Sequence, residues 1–297
     1  MEEEIKRSVG VHDGNFHADE VVACALLLLF DLVDRDKIVR TRDPQALSAC
    51  EYVCDVGGVY DSNKKRFDHH QVDYDGVYSS AGMVLTYLLD KKIISKALRD
   101  YFYENLIYGV DAHDMGSTTR YGFANFSHGI ALFNPVEYTA KPAAYAKGFF
   151  EACDYAVGYL QRLKDRFEYN QGCKEAVKKA MDEKKEFLIF SEPLPWVDSF
   201  FELGGEKHPA KFLLMPTSQN QWKVRAIPPS EKDKMDTRVP LPAAWSGLMG
   251  EALEKVSKIP GAVFCHKGRF VSIWETKESA EKALHEALKG ARDGDVI

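Results

Sequence analysis

A chain of 297 residues, 45% hydrophobic and 28% charged, has the composition of a globular protein and is long enough for one large domain or two ordinary ones. A net charge of −6 provides no global positive field, which argues against bulk binding of RNA or DNA; a nucleic-acid substrate would need a local basic patch or a metal. The six cysteines form no CxxC pair, so neither a zinc knuckle nor a thioredoxin-type site is expected, and they read as reduced intracellular thiols.

The amino-terminal residues MEEEIKRSVG are too acidic for a mitochondrial presequence and lack the apolar core of a signal peptide. Ser8 to Gly14 reads as a short strand running into a loop. The longest apolar run, Val21 to Phe30, is ten residues, which suits a buried helix and is too short to span a membrane. Lys37 to Asp43 is a second predicted strand. Asp43 then caps a short helix with Pro44 in its first turn. Glu51 to Gly58 is a third strand ending at Asp55, and Lys65 to His70 a fourth ending on two histidines. A helix follows, entered through Ser79 or Ser80. A further helix, from Ala97, delivers Asp111 and Asp114 to its carboxyl end.

Alternating strands and helices over this region predict a mostly parallel sheet flanked by helices, the ligand lying at the carboxyl ends of the strands. From about Ala140 the texture changes. Tyr145 to Glu186 is helical with interleaved charges, a solvated face. The prolines of Ser191 to Val197 mark an expected boundary. The chain therefore divides into a catalytic α/β domain, 1–190, and a smaller mixed α/β domain, 191–297, ending in the helix from Lys277.

Four acid and histidine clusters fall at the predicted element ends. VHDGNFHADE supplies His12, Asp13, His17, Asp19 and Glu20. CDVGG supplies Asp55, FDHHQ supplies Asp68, His69 and His70, and VDAHD supplies Asp111, His113 and Asp114. Each cluster alone is compatible with ordinary surface or core hydrogen bonding; four in one α/β domain point to metal. Imidazole with carboxylate and no thiolate suits Mn²⁺, Fe²⁺, Co²⁺ or Mg²⁺. The donors exceed what one ion needs, so two are expected, about 3.5–4 Å apart and clamping the oxygens of an in-line phosphoryl displacement. Asp55, alone at a central strand end, is the candidate bridge. His128, His208, His266 and His285 stand alone and read as ordinary histidines.

These motifs resemble the DHH phosphoesterase superfamily and, within it, the MYG1 family. The broad likeness rests on His12, His17-Ala18-Asp19, Asp55, Asp68-His69-His70 and Asp111. The closer likeness adds IVRTRDP, SSAG, QWKVRAIP, RVPLPAAWSGL and IPGAVFCH, covering nearly the whole chain. The resemblance implies that His12 and His17 ligate a first ion, and that Asp19, His69 and Asp111 ligate a second. Asp55 bridges the two, His70 faces substrate and Asp68 orients the histidine pair. It also implies Mn²⁺ or Mg²⁺ as cofactors and 3′→5′ exonuclease action on RNA 3′ ends or short oligonucleotides. No membrane partner is implied, and the expected location is cytoplasm, nucleus or mitochondrion.

His17 stands where most of the superfamily has an aspartate. Ser272-Ile273-Trp274 stands where the family has a glycine-rich step. Two residues of the smaller domain are candidate substrate contacts, Arg238 clamping a phosphate and Trp274 stacking on a base; the ordinary reading, that Trp274 packs within the smaller domain, is preferred to the second. A small-molecule phosphatase or pyrophosphatase, and a metal-stabilised RNA-binding scaffold without turnover, remain alternatives. The sequence leaves the oligomeric state open and admits a homodimer.

Overall fold

Along the first strand Val9 and Val11 enter the main core while Gly10 faces the other side, where a Cβ would lie 2.7 Å from Leu47. That close approach lets the helix carrying Leu47 lie directly on the strand. The computed structural model describes residues 4–117, 125–137, 139–233 and 236–293. The chain forms two compact units that divide between Phe167 and Glu168.

The first unit contains β1 (Ile5–Val11), α1 (Ala18–Leu29), β2 (Ile38–Arg40), α2 (Pro44–Ala49), β3 (Cys50–Cys54), β4 (Tyr60–Asp61) and β5 (Arg66–Phe67). After these come α3 (Ser80–Asp90), α4 (Lys96–Phe102), α5 (Tyr108–Asp114), α6 (Phe126–Ala131) and the start of α7 (Pro142–Asp182). The sheet order is β2-β1-β3-β5-β4, parallel except for the edge pair β5–β4. The expected mostly parallel α/β sheet is present, with a short antiparallel edge that sequence reasoning did not foresee. Residues Ala18 to Leu27 are all buried, as a helix apolar on every side requires. Asp43 caps α2 as expected, its side chain accepting the Gln45 N–H at 3.0 Å. The helix from Ala97 is not continuous: a π-helical turn at Tyr103–Ile107 separates α4 from α5.

The second unit contains the end of α7, β6 (Phe187–Ile189), α8 (Val197–Glu202), β7 (Phe212–Pro216) and β8 (Trp222–Ala226), then α9 (Gly250–Ser257), β9 (Ala262–Cys265), β10 (Val271–Trp274) and α10 (Lys277–Asp293). Its sheet order is β6-β7-β8-β10-β9. One face packs Phe212, Leu214, Val224 and Trp274 with buried residues of α10; on the other, Leu213 and Met215 pack with α8 and the end of α7. The division thus falls earlier than the 190/191 boundary drawn from the prolines. β6 is hydrogen-bonded to β7 and belongs to the second sheet. A division inside a helix leaves no turn signal in the sequence.

For two residues weighed as substrate contacts the structure shows packing roles instead, which for Trp274 is the ordinary reading. Arg238 spends its guanidinium on backbone carbonyls, donating to His208 at 2.6 Å, Gly205 at 2.7 Å, Ala210 at 3.0 Å and Pro228 at 3.1 Å. It also lies over the Phe200 ring, so it staples loops rather than gripping phosphate. Trp274 is fully buried, edge-on to Trp245, with its Nε1–H donated to Ser272 Oγ at 2.9 Å; no base can reach its face. Among the described residues, no helix is long and apolar enough to cross a membrane. Arg238→Ala is expected to lower stability by about 2–4 kcal/mol, because four carbonyls lose one donor group. Arg238→Lys should recover only part of that, lacking the planar fork. Urea denaturation midpoints check both.

Candidate metal centre

β1 ends at Val11, and the loop His12 to His17 leads into α1. Two contacts fix this loop. Asn134 Oδ1 accepts the Phe16 N–H at 3.1 Å while its Nδ2 donates to the Phe16 carbonyl at 2.9 Å. Arg40, from β2, donates to the Gly14 carbonyl at 2.7 Å and stacks on Phe149 and Phe16. At the helix entrance the Glu20 carboxylate accepts the His17 N–H at 3.0 Å, closing the first turn of α1. Glu20 also lies 3.0 Å from His12 Nε2.

Asp55 follows the last residue of β3 with φ +55°, a left-handed conformation that aspartate tolerates better than most residues. Its Oδ2 is 3.2 Å from His12 Nε2; its Oδ1 is 3.4 Å from His70 Nδ1 and 3.7 Å from His69 Nε2. Asp55 is thus the shared point of the cluster, the position expected of a bridge. Asp68 holds the neighbouring loop: Oδ2 accepts the Gly58 N–H at 2.6 Å, and Oδ1 accepts both the His70 N–H at 3.1 Å and His70 Nδ1 at 2.8 Å. Gly58 is in the left-handed region (φ +66°) with open space around it, so conformation rather than crowding calls for glycine.

Three groups have donor atoms lying within 4.8 Å of one another: His12, His17, Glu20 and Asp55; Asp55, His69 and His70; and His17, Asp19 and Asp114. Five of the six sequence-named ligands converge here. Asp111 is held elsewhere: its Oδ1 accepts Ser79 Oγ at 2.6 Å and the N–H groups of Ser79 and Gly82, both at 3.1 Å, at the start of α3. Asp114, one turn on, lies 3.2 Å from His69 Nε2. Glu20 and Asp114 were visible in the motifs without an assigned role. Arg42, exposed at the rim and 3.5 Å from Asp13, was missed; it is the cationic side chain among the residues lining a cleft of about 620 Å³ that includes His12, His17, Asp55 and His70.

The electrostatics ask for a cation. Asp19 is fully buried and, among the described residues, no N–H or O–H group donates to either of its oxygens or to the buried Asp55 Oδ1. Burial, then the charges of Asp55, Glu20 and Asp114, push the Asp19 carboxyl well above the usual range. Burial likewise raises Asp55 despite the hydrogen bond from His12. Burial disfavours a charged His12, yet Asp55 and Glu20 outweigh it and raise its pKa to about 10. Asp111, raised chiefly by burial, stands at about 6. For Asp68, burial is outweighed by the Gly58 and His70 hydrogen bonds, so its pKa is lowered. Carboxylate and imidazole donors, several buried and unpartnered, fit one or more hard or borderline divalent ions.

Fold and site together define an α/β protein with an acid–histidine cluster suited to divalent metal at the strand ends. A family model, MYG1_exonuc, described as an uncharacterised protein family (UPF0160), matches residues 8–288, and the chain belongs to that family. It is 50% identical over 290 residues to the "MYG1 protein" of Chlamydia trachomatis, covering 97% of this chain and 99% of the relative. It is 32% identical over 315 residues to the human "MYG1 exonuclease", covering 92% and 83% respectively. Among solved structures, RecJ from Thermus thermophilus in complex with Mn²⁺ aligns at 12% identity and a TM-score of 0.30. That alignment covers 96% of this chain and 52% of the other, too weak a likeness to carry residues across.

Metal should stabilise the protein by about 2.7 kcal/mol at a hundred times its Kd. Asp19→Asn is expected to melt higher than the wild type in EDTA, since it removes a buried carboxyl crowded by Asp55, Glu20 and Asp114, and to lose most of the Mn²⁺-dependent rise. Thermal melts with and without metal check both.

Proposed function

We propose that the protein is a metal-dependent phosphodiesterase that shortens RNA or short oligoribonucleotides from the 3′ end. One observation carries this reading: buried carboxylate oxygens of Asp19 and Asp55 without donors, set among His12, His17 and His69 beside an open cleft. The name "exonuclease" borne by the human relative supports the reaction class.

His12, His17, Glu20 and Asp55 would hold one ion, and Asp19 and Asp114, grouped with His17, a second that His69, 3.2 Å from Asp114, could also reach; Asp55 also faces His69 and His70. When bound, Mn²⁺ or Mg²⁺ supplies Lewis acidity and lowers the pKa of a water. The remaining work falls to the chain. Asp68 accepts the hydrogen bond of His70 Nδ1–H and fixes that ring, leaving Nε2 free on a side chain 64% exposed. When Nε2 also carries a proton, the imidazolium of His70 can donate to a phosphate oxygen or give that proton to the leaving 3′-oxygen. Arg42 places a cation at the rim, where a second phosphate of the substrate would pass. A small phosphorylated substrate is the second reading, favoured by the net charge of −6.

The test is hydrolysis with added Mn²⁺ of a 5′-labelled short RNA, a dinucleotide and pyrophosphate. Asp55→Asn runs beside the wild type because asparagine accepts the left-handed backbone. A ladder shortening from the 3′ end, absent in the variant, is expected. Cleavage of pyrophosphate alone moves the substrate to small anions. No turnover with metal bound overturns the hydrolytic reading.

A further inference from the structure

The second unit holds a charge problem of opposite sign. Lys223 and Arg225 are two residues apart on β8, so both project from the same face of the sheet. Strand register shows which face. Lys223 pairs with Met215 on β7 and Ile273 on β10, and Arg225 pairs with Leu213 and Val271. This is the face opposite α10. On the β7 side it is closed by Leu213 and Met215, packed under α8 and the end of α7. On the β10 side Val271 and Ile273 are only half-buried. The two cations stand where the cover stops.

Both side chains are half-buried, and among the described residues neither makes an ion pair or a side-chain hydrogen bond. Arg225 Nε is buried without an acceptor. The guanidinium has one aromatic neighbour, lying 5.7 Å from the centre of the Phe270 ring. Burial lowers the pKa of both groups, and Arg225 further lowers that of Lys223; no carboxylate acts in the other direction on either. Partly desolvated like charges side by side cost stability unless an anion sits between or across them. A sheet position with only a packing role is better filled by a β-branched residue.

We propose that Lys223 and Arg225 form an anion site in the second unit that takes neighbouring phosphates of a single-stranded oligonucleotide, with Phe270 beside it as a surface for a base. The choice of ligand rests on the phosphodiesterase reading above; the need for an anion does not. Two residues along a strand span about 6.6 Å, a distance two adjacent phosphates can match. A planar guanidinium adds two-pronged contact to one phosphate, and the ammonium acts as a point charge for the next.

The experiment is fluorescence anisotropy of a short labelled oligoribonucleotide on the full chain in EDTA, across a KCl series. The proteins compared are the wild type, Lys223→Gln with Arg225→Gln, and the charge-preserving swap Lys223→Arg with Arg225→Lys. Removing two phosphate contacts should weaken binding about tenfold or more at low salt. The slope of log K against log salt should flatten by about 1.4. The swap should keep the wild-type slope. The double glutamine variant should melt at or above the wild-type temperature in phosphate-free buffer, the opposite of what loss of a structural pair produces. An unchanged slope and affinity in that variant overturns the site, as does a wild type that shows no salt-dependent binding. Binding in EDTA is read without turnover, so retained binding beside absent hydrolysis in the Mn²⁺ assay concerns the metal centre and leaves this site standing.

Discussion

Four carboxylates crowded into one partly dry corner impose the constraint on which the first unit depends. Asp19, Glu20, Asp55 and Asp114 meet around His12, His17 and His69, and the protein supplies too few donors to neutralise them. Without compensating positive charge, some of these groups must hold protons or repel one another. The surrounding contacts are what keep the corner from opening. Asn134 and Arg40 clamp the His12 to His17 loop, and Gly58 and His70 tie down Asp68. A repulsive cluster survives in a folded protein when its walls are stiff and a ligand relieves it.

Topology explains why the walls meet here. β1, β3 and β5 are parallel neighbours, so their carboxyl ends open on the same edge of the sheet. His12 follows β1, Asp55 follows β3 and Asp68 follows β5; residues distant in sequence become neighbours because three strands run the same way. Helices add the rest: α1 contributes Asp19 and Glu20 from its first turn, where the helix dipole favours negative charge, and α5 contributes Asp114 from its last. Asp114 sits at the end of a helix where the dipole disfavours it, which is a further reason for it to seek a cation.

Much of this was legible in sequence because it depends on local pattern. The apolar run of α1, the Asp43-Pro44 cap and the placement of His12, Asp55 and Asp68 at strand ends all follow from spacing and element type. Where the reading departed, a non-local cause is visible. Asp111 and Asp114 were distinguished by resemblance rather than geometry, and the π-helical turn at Tyr103–Ile107 changes the phase of everything after it. Arg238 and Trp274 have the chemistry of substrate contacts. Only the fold shows that the arginine is surrounded by carbonyls and the tryptophan by core. β6 is too short to show a period, and its membership in the second sheet depends on β7, more than twenty residues later.

The left-handed backbone at Asp55 bears on how this site can change over evolutionary time. Most bridging carboxylates admit a longer or shorter neighbour with some repacking. Here the conformation favours glycine, asparagine and aspartate, although this chain also places Lys65, Lys92 and Arg269 there, and of the favoured three only aspartate brings negative charge. Glutamate would fail twice, once for reach and once for the backbone. On the proposed reading, drift at this strand end therefore tends to run through forms without the shared carboxylate. A lineage that abandons the chemistry is expected to show it first as asparagine or glycine at position 55, while His12, His17 and His69, which have ordinary backbones, persist as relics.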